Sequence, residues 1–169
     1  ITFAGSFYES LSAYEFLDGL AAYVDRNGDR AIRFDVYGDW SESYDDYCEQ
    51  LGISDIVLHH GWIGHNDLVP KLMGSDVLLH IAGSDPNLDF HIGTKVYDYI
   101  GAKRPILVIG DPTFEAANLV ADNGLGTAVP GDDPTAIADA LGRLIARETD
   151  FDPTANVYRQ FSRENRIEQ

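Results

Sequence analysis

The stretch Gly93-Thr94-Lys95-Val96-Tyr97-Asp98 gathers three kinds of polar group at what its pattern predicts to be the opening turns of a helix. Free backbone N–H groups and the positive end of the helix dipole collect at such a start, and together they can hold an anion such as a phosphate. Gly93 and Thr94 supply the start. Lys95 adds a cation where the dipole disfavours one, so a lysine without an anionic partner would be poorly placed. Asp98, one turn further in, offers a carboxylate able to accept hydrogen bonds from neutral hydroxyls. Phosphate donors beside a hydroxyl acceptor suit a nucleotide joined to a sugar. The plainer alternatives are a solvated lysine and a surface carboxylate.

The five histidines, His59, His60, His65, His80 and His91, invite a metal reading. His59 and His60 are adjacent on a predicted strand and so point to opposite faces, which prevents joint chelation of one ion. No HExxH or other ligand spacing occurs, so no metal site is expected. His80 and His91 fall in or beside the loop that precedes Gly93, where either could hydrogen-bond a phosphate or a sugar. Tyr97 and Tyr99 are expected to pack the helix. Trp62 is expected to pack a loop, with a base-stacking platform as the alternative, and Phe7 and Tyr8 to lie over the cleft. No GxGxxG follows the first strand and no P-loop is present, so both of those nucleotide-binding fingerprints are missing. Cys48 is alone, which excludes a disulfide framework and a thiolate cluster and fits a reducing cytoplasm.

These residues must be held by alternating strands and helices. Strands are predicted over 1–5, 32–37, 56–60, 76–81, 105–109 and 126–129. Helices are predicted over 10–27, 42–51, 66–73, from Gly93, over 113–122, after Asp133-Pro134, and over 155–169. In the first helix, Tyr14, Leu17, Leu20, Ala21 and Val24 form the apolar face, Ser12 and Glu15 have capping-box spacing, and Gly28 ends it. Asp133 supplies an N-cap and Pro134 a first helical residue, and that helix buries Ile137, Leu141, Leu144 and Ile145. Strands that are nearly continuously apolar belong to a parallel sheet covered on both faces. The fold class is therefore α/β, a doubly wound, six-stranded, Rossmann-like sheet. Ligands of such sheets sit beyond the carboxyl ends of the strands, at the switch point. The loops after the first four strands are then the ones that matter: 5–8, 38–40, 61–63 and 80–94. The domain is expected to occupy 1–150, with 151–169 a linker and final helix.

Composition narrows the partners. Twenty Asp and eight Glu face nine Arg and three Lys, for a formal net charge of −16 in 169 residues. Such a surface repels nucleic acid and anionic lipid, so neither is expected as a direct partner. Abundant Asp with scarce Lys suits a halophile's protein, whose self-repulsion is screened by salt, with an ordinary acidic protein as the alternative. No apolar run approaches the length of a membrane-spanning helix. The chain opens at Ile1 directly in a strand, with no Met and no basic leader, and is expected to be a piece of something longer.

The order and spacing of Phe3-Ala4-Gly5-Ser6, Phe34-Asp35-Val36-Tyr37-Gly38, His60-Gly61-Trp62-Ile63, Gly74-Ser75-Asp76-Val77-Leu78-Leu79, Gly93 to Leu107, and Gly124-Leu125-Gly126-Thr127-Ala128-Val129 carry a resemblance. Together they resemble the C-terminal, donor-binding domain of GT-B fold glycosyltransferases, group 1 (family 4) in particular. The resemblance implies a nucleoside-diphosphate sugar as substrate and no metal or other cofactor. It implies that Asp98 meets the ribose, where Glu is usual, and that Gly93, Thr94 and Lys95 meet the diphosphate. It places Gly61, Trp62 and Ile63 against the nucleobase, largely through main-chain atoms, and Gly5 and Ser6 where phosphate approaches the first strand. His80 completes the candidate donor-binding set, and no catalytic residue is assigned.

Two departures stand out. Many members carry two glutamates seven residues apart, the first near the sugar; counting back from Asp98 gives Phe90, which cannot play that part, with Asp89 adjacent. Many also carry an Arg and a Lys after the first strand, where 6–12 here has neither. Lys95, helix dipoles, or Lys103 and Arg104 folding back are the substitutes to hand. The expected function is transfer of a sugar to an acceptor hydroxyl, with acceptor and general base in a missing N-terminal domain. A nucleotide-sugar 2-epimerase-like isomerase and a non-catalytic nucleotide-binding module are the alternatives.

Overall fold

A computed structural model describes residues 1–8, 11–28, 30–88 and 92–152. In chain order the elements are β1 (Thr2–Gly5), α1 (Tyr14–Asn27), β2 (Phe34–Gly38), α2 (Glu42–Gln50), β3 (Val57–His59), α3 (His65–Met73), β4 (Leu78–Gly83), α4 (Thr94–Ala102), β5 (Ile106–Gly110), α5 (Glu115–Asp122), β6 (Gly126–Val129) and α6 (Pro134–Ile145). A 3-10 turn, Pro86–Leu88, interrupts the loop after β4. The strands form one parallel sheet in the order β3-β2-β1-β4-β5-β6. The doubly wound architecture expected from alternation is the one observed.

Alternating side chains along each strand feed two separate cores. Phe3, Phe34, Val36, Leu79, Ile81 and Leu107 pack under α1, α2 and α6. Ala4, Tyr37, Leu78, Ile106 and Val108 pack under α3, α4 and α5. Both faces are therefore dry, which is why the strands lack polar alternation. Helices α1 and α6 approach closely at Gly19, where a Cβ would stand 2.2 Å from Ile137 Cγ2.

The chain winds outward through β2 and β3, then returns to the other flank of β1 with β4. That reversal opens the sheet. Strand β1 pairs with β2 over four residues but with β4 only at Thr2↔Leu78. Thr2 N–H donates to Val77 O at 2.9 Å. Two residues on, Ala4 N–H points to the same edge but donates instead to Tyr99 Oη, at 3.0 Å. Tyr99, fully buried and projecting from α4, takes a ladder position that β4 would otherwise fill. The carboxyl ends of β1 and β4 are thereby held apart.

Several local expectations are corrected. Helix α1 starts at Tyr14 with Ala13 as N-cap and no side-chain cap, so the Ser12–Glu15 box does not form. Ala13 N–H instead faces Tyr44 Oη at 3.4 Å. Tyr14 and Ile145 are each more than a third exposed, because each lies on the flank of its helix. Strands β2 and β4 run one or two residues later than their apolar runs, into the glycines Gly38 and Gly83 that end them. The Gly28 stop and the Asp133 cap with Pro134 are observed as expected. Ser10, Asp89, Phe90, His91 and the 155–169 helix lie outside the described residues. No helix among the described residues is long and apolar enough to cross a membrane.

Candidate functional site

The crevice at the switch point measures about 160 Å³ and is lined by Ala4, Gly5, Tyr37, Trp62, Ile63, Leu68, Leu72, Lys95, Asp98 and Tyr99. Five of the ten sequence-predicted residues, Gly5, Trp62, Ile63, Lys95 and Asp98, converge here from the end of β1, the loop after β3 and helix α4. Ser6 and Gly61 flank two of them in the chain, Gly93 and Thr94 open α4, and His80 lies beneath that opening. A larger hollow of about 570 Å³ opens at the amino ends of the strands, among Thr2, Arg33, Asp35, Lys71 and Ser75. Ligands of doubly wound sheets bind at the carboxyl ends, and Lys95 with the start of α4 is at that end, so the smaller crevice is the candidate site.

Helix α4 opens at Thr94 with Gly93 as its N-cap, whose φ of 68° favours glycine, and among the described residues no side chain caps it. Val96 N–H donates to Gly93 O at 3.2 Å, and among the described residues the N–H groups of Thr94 and Lys95 are left for a ligand or solvent. One residue into the helix, Lys95 turns toward β1. A Cβ on Gly5 would stand 2.6 Å from Lys95 Nζ, and Gly5 has a φ of 127°, so glycine both makes the turn and leaves the ammonium its space. The ammonium sits over the Phe3 ring, 4.4 Å from its centroid. Burial pushes its pKa down to about 8. Among the described residues no carboxylate forms an ion pair with it.

His80, in the middle of β4, is the other unsatisfied group. It is 5% exposed, and among the described residues neither ring nitrogen has a hydrogen-bond partner. A Cβ on Gly93 would stand 3.6 Å from His80 Cε1, which puts the ring directly against the helix start. Burial, reinforced by the Lys95 charge, lowers its pKa to about 4, so the imidazole is neutral at physiological pH. A buried polar ring without partners carries a desolvation cost that a ligand could relieve.

Asp98 is exposed at the rim of the crevice, three residues after Lys95 and one before the buried Tyr99. Trp62 is 67% exposed and edges the crevice rather than packing its own loop. Its Nε1–H donates to Asp39 Oδ1 at 2.7 Å, and Ser6 Oγ donates to Asp39 Oδ2 at 2.7 Å. Hydrogen bonds from Trp62 and then Ser6 hold the Asp39 carboxyl below the usual carboxylate range. Asp39 was not anticipated as a site residue, although its loop was. An acid just past the glycine that ends β2 was the available signal.

Other expectations are redirected. Phe7 does not cover the cleft; it stacks on Phe3 with centroids 4.1 Å apart and packs against Trp40 and Tyr44. Tyr8 is exposed. Lys103 and Arg104 do not fold back toward the phosphate position. Lys103 is the left-handed C-cap of α4 and Arg104 Nε donates to Met73 O, so both stand about 13 Å along the helix from its start. His59 and His60 take opposite faces as expected, His59 with Gly38 O and His60 with Asp35. Burial pushes Asp35 up, but hydrogen bonds from His60 and Arg33 outweigh it and leave the carboxyl low. Among the described residues no three metal-ligating side chains cluster.

The family model described as glycosyl transferases group 1 matches residues 1–147. No curated protein matches the sequence. Among solved structures, the chain is similar to the C-terminal domain of a glycosyl transferase group 1 family protein (LpcC) from Francisella tularensis. Identity there is 16%, the match covers 94% of this chain and 82% of that one, and the TM-score is 0.68. It is similar to the pneumococcal O-GlcNAc transferase GtfA, solved with UDP and GlcNAc, at 15% identity over 95% of this chain and 31% of that one, TM-score 0.70. It is similar to TarM at 16% identity over 99% of this chain and 32% of that one, TM-score 0.66. At these identities the likeness is one of fold, and the chain spans about a third of the length of GtfA and TarM.

Proposed function

The chain belongs to the group 1 glycosyl transferases, and from that premise we propose that it is the donor-binding half of such an enzyme, which moves a sugar from a nucleoside-diphosphate sugar to an acceptor hydroxyl. One observation carries the reading: a half-buried lysine without an anionic partner among the described residues lines the switch-point crevice, and the helix start that carries it lies against the buried, unpartnered His80 ring. The diphosphate lies on the N–H groups of Thr94 and Lys95 at the start of α4 and on the Lys95 ammonium, with Gly5 on its other side. His80 offers a neutral ring N–H beneath it. Asp98 accepts from the ribose hydroxyls. Gly61, Trp62 and Ile63 form the nucleoside end.

In this reading catalysis by the chain is electrostatic. As the glycosidic bond breaks, negative charge grows on the departing diphosphate, and oriented N–H groups and Lys95 stabilise it without reorganising. No metal takes part, and uridine or guanosine diphosphate is the leaving group. Acceptor and general base come from a second domain across the cleft. The single Cys48 and the acidic composition suit a cytoplasmic, salt-adapted enzyme that does not bind nucleic acid or anionic membrane directly.

Calorimetry with UDP, GDP and their sugars tests the assignment. The unaltered chain should bind at least one nucleotide, Lys95→Ala should weaken it through the diphosphate, and Asp98→Ala through the ribose. Absence of nucleotide binding, or binding untouched by both substitutions, overturns the reading. Sugar transfer by residues 1–169 alone overturns the half-enzyme claim.

A further inference from the structure

We propose that Asp39 is the positioning residue of the site's nucleoside end, holding Trp62 as its wall; the inference rests on the donor-site reading above. Asp39 is the point where three loops are tied. Its Oδ1 accepts from Trp62 Nε1 in the loop after β3, and its Oδ2 from Ser6 Oγ in the loop after β1, each at 2.7 Å. Its own N–H donates to Gly5 O at 3.1 Å, and the preceding Gly38 N–H donates to Gly61 O at 3.0 Å. The carboxylate only accepts, so both side-chain protons are fixed as donated to it. Ser6 thereby spends its hydroxyl proton on Asp39 rather than on a ligand.

The consequence falls on Trp62. An indole that is 67% exposed at a crevice mouth makes too little packing to fix its own ring. The Asp39 bond supplies the orientation, and charge-assisted bonds of this kind are the stronger ones. Asp39 also divides the site electrically. A carboxylate beside Trp62 and Ser6 repels phosphate from that rim, while Lys95 attracts it to the start of α4. A nucleotide is thus oriented end to end, with the flat uncharged base at Trp62 and the diphosphate at Lys95.

Three variants and two ligands test this by calorimetry on the full chain. Asp39→Ala removes both acceptors. Asp39→Asn keeps the geometry without charge, since its carbonyl accepts from Trp62 and its amide donates to Ser6 Oγ. Trp62→Phe keeps a ring but removes the N–H. A base–aromatic contact is worth about tenfold in affinity, so Asp39→Ala and Trp62→Phe should each weaken UDP or GDP by about that factor. The two changes combined should do no worse than either alone. Asp39→Asn should restore binding to within about twofold of the unaltered chain, well inside that tenfold effect. Pyrophosphate, which has no base, should bind Asp39→Ala no more weakly than the unaltered chain. Nucleotide binding by Asp39→Ala equal to the unaltered chain's, or parallel loss of nucleotide and pyrophosphate, overturns the inference alone. Absence of nucleotide binding by the unaltered chain overturns the donor-site reading and the inference with it.

Discussion

Replacing Lys95 by methionine should stabilise the ligand-free protein while removing its hold on a diphosphate. Burial lowers the Lys95 pKa from 10.5 to about 8. At about 1.36 kcal/mol per pH unit, the charged form carries a penalty on the order of 3 kcal/mol at neutral pH. Methionine keeps the length and the contact with Phe3 but forfeits the cation–π attraction, which leaves a net gain of about 1–3 kcal/mol. The pH dependence identifies the cause. The unfolded lysine titrates near its ordinary value, so between about pH 8 and 10.5 the unfolded chain holds a proton the folded chain has lost, and stability rises with pH across that window. Urea unfolding of both proteins, compared at equal m, reads the difference. Lys95→Met should lead at about pH 7 and the gap should close by about pH 10. A variant no more stable than the parent at neutral pH, or a gap that persists at high pH, refutes the claim that this ammonium is kept charged at a cost to the fold. The binding arm runs the other way: nucleotide-sugar affinity of the parent should fall as pH rises through about 8.

His80 should limit stability in acid, because burial holds its pKa at about 4 against 6.5 ordinarily. The unfolded chain takes up that proton first, so stability falls between about pH 6.5 and 4 by up to roughly 3 kcal/mol, and His80→Leu should flatten this limb in urea titrations. Tyr99→Phe leaves Ala4 N–H buried without its acceptor, which should cost about 1–3 kcal/mol in urea unfolding and speed exchange of that amide. The formal charge of −16 should make the thermal midpoint rise from low to molar KCl, and a flat or falling midpoint would remove the halophile reading.

The fold was legible because its evidence is local. Runs such as Ile106-Leu107-Val108-Ile109, buried on both faces, cannot be half-solvated strands, and the helices between them dictate parallel crossovers. Lys95 was legible for a similar reason, since a cation two residues past a helix-opening glycine opposes the dipole unless an anion joins it. What escaped depends on partners far away in the chain. Asp39 meets Ser6 33 residues back and Trp62 23 residues on, and neither spacing has a local signature. Phe7 followed the first strand as a cleft cover would, but its ring found Phe3 four residues earlier and joined the core. Tyr99 was rightly a packing residue by its position; that its hydroxyl replaces a strand carbonyl is a property of two elements 95 residues apart.

That replacement is what makes the site possible. Had β1 and β4 continued to pair beyond Thr2, Ala4 N–H would be spent on a carbonyl of β4 and the strand ends would close. Tyr99 satisfies the amide while keeping the strands apart, and the same helix turn carries Lys95 into the gap over Gly5. One helix thus opens the crevice and charges it. This also removes the apparent conflict between the anionic ligand proposed above and a chain of net charge −16. At physiological ionic strength, carboxylates more than about 8 Å away are largely screened. A contact between a phosphate and a desolvated ammonium is screened far less. The charge in direct contact with a phosphate, and not the net charge of the molecule, sets the strength of that contact.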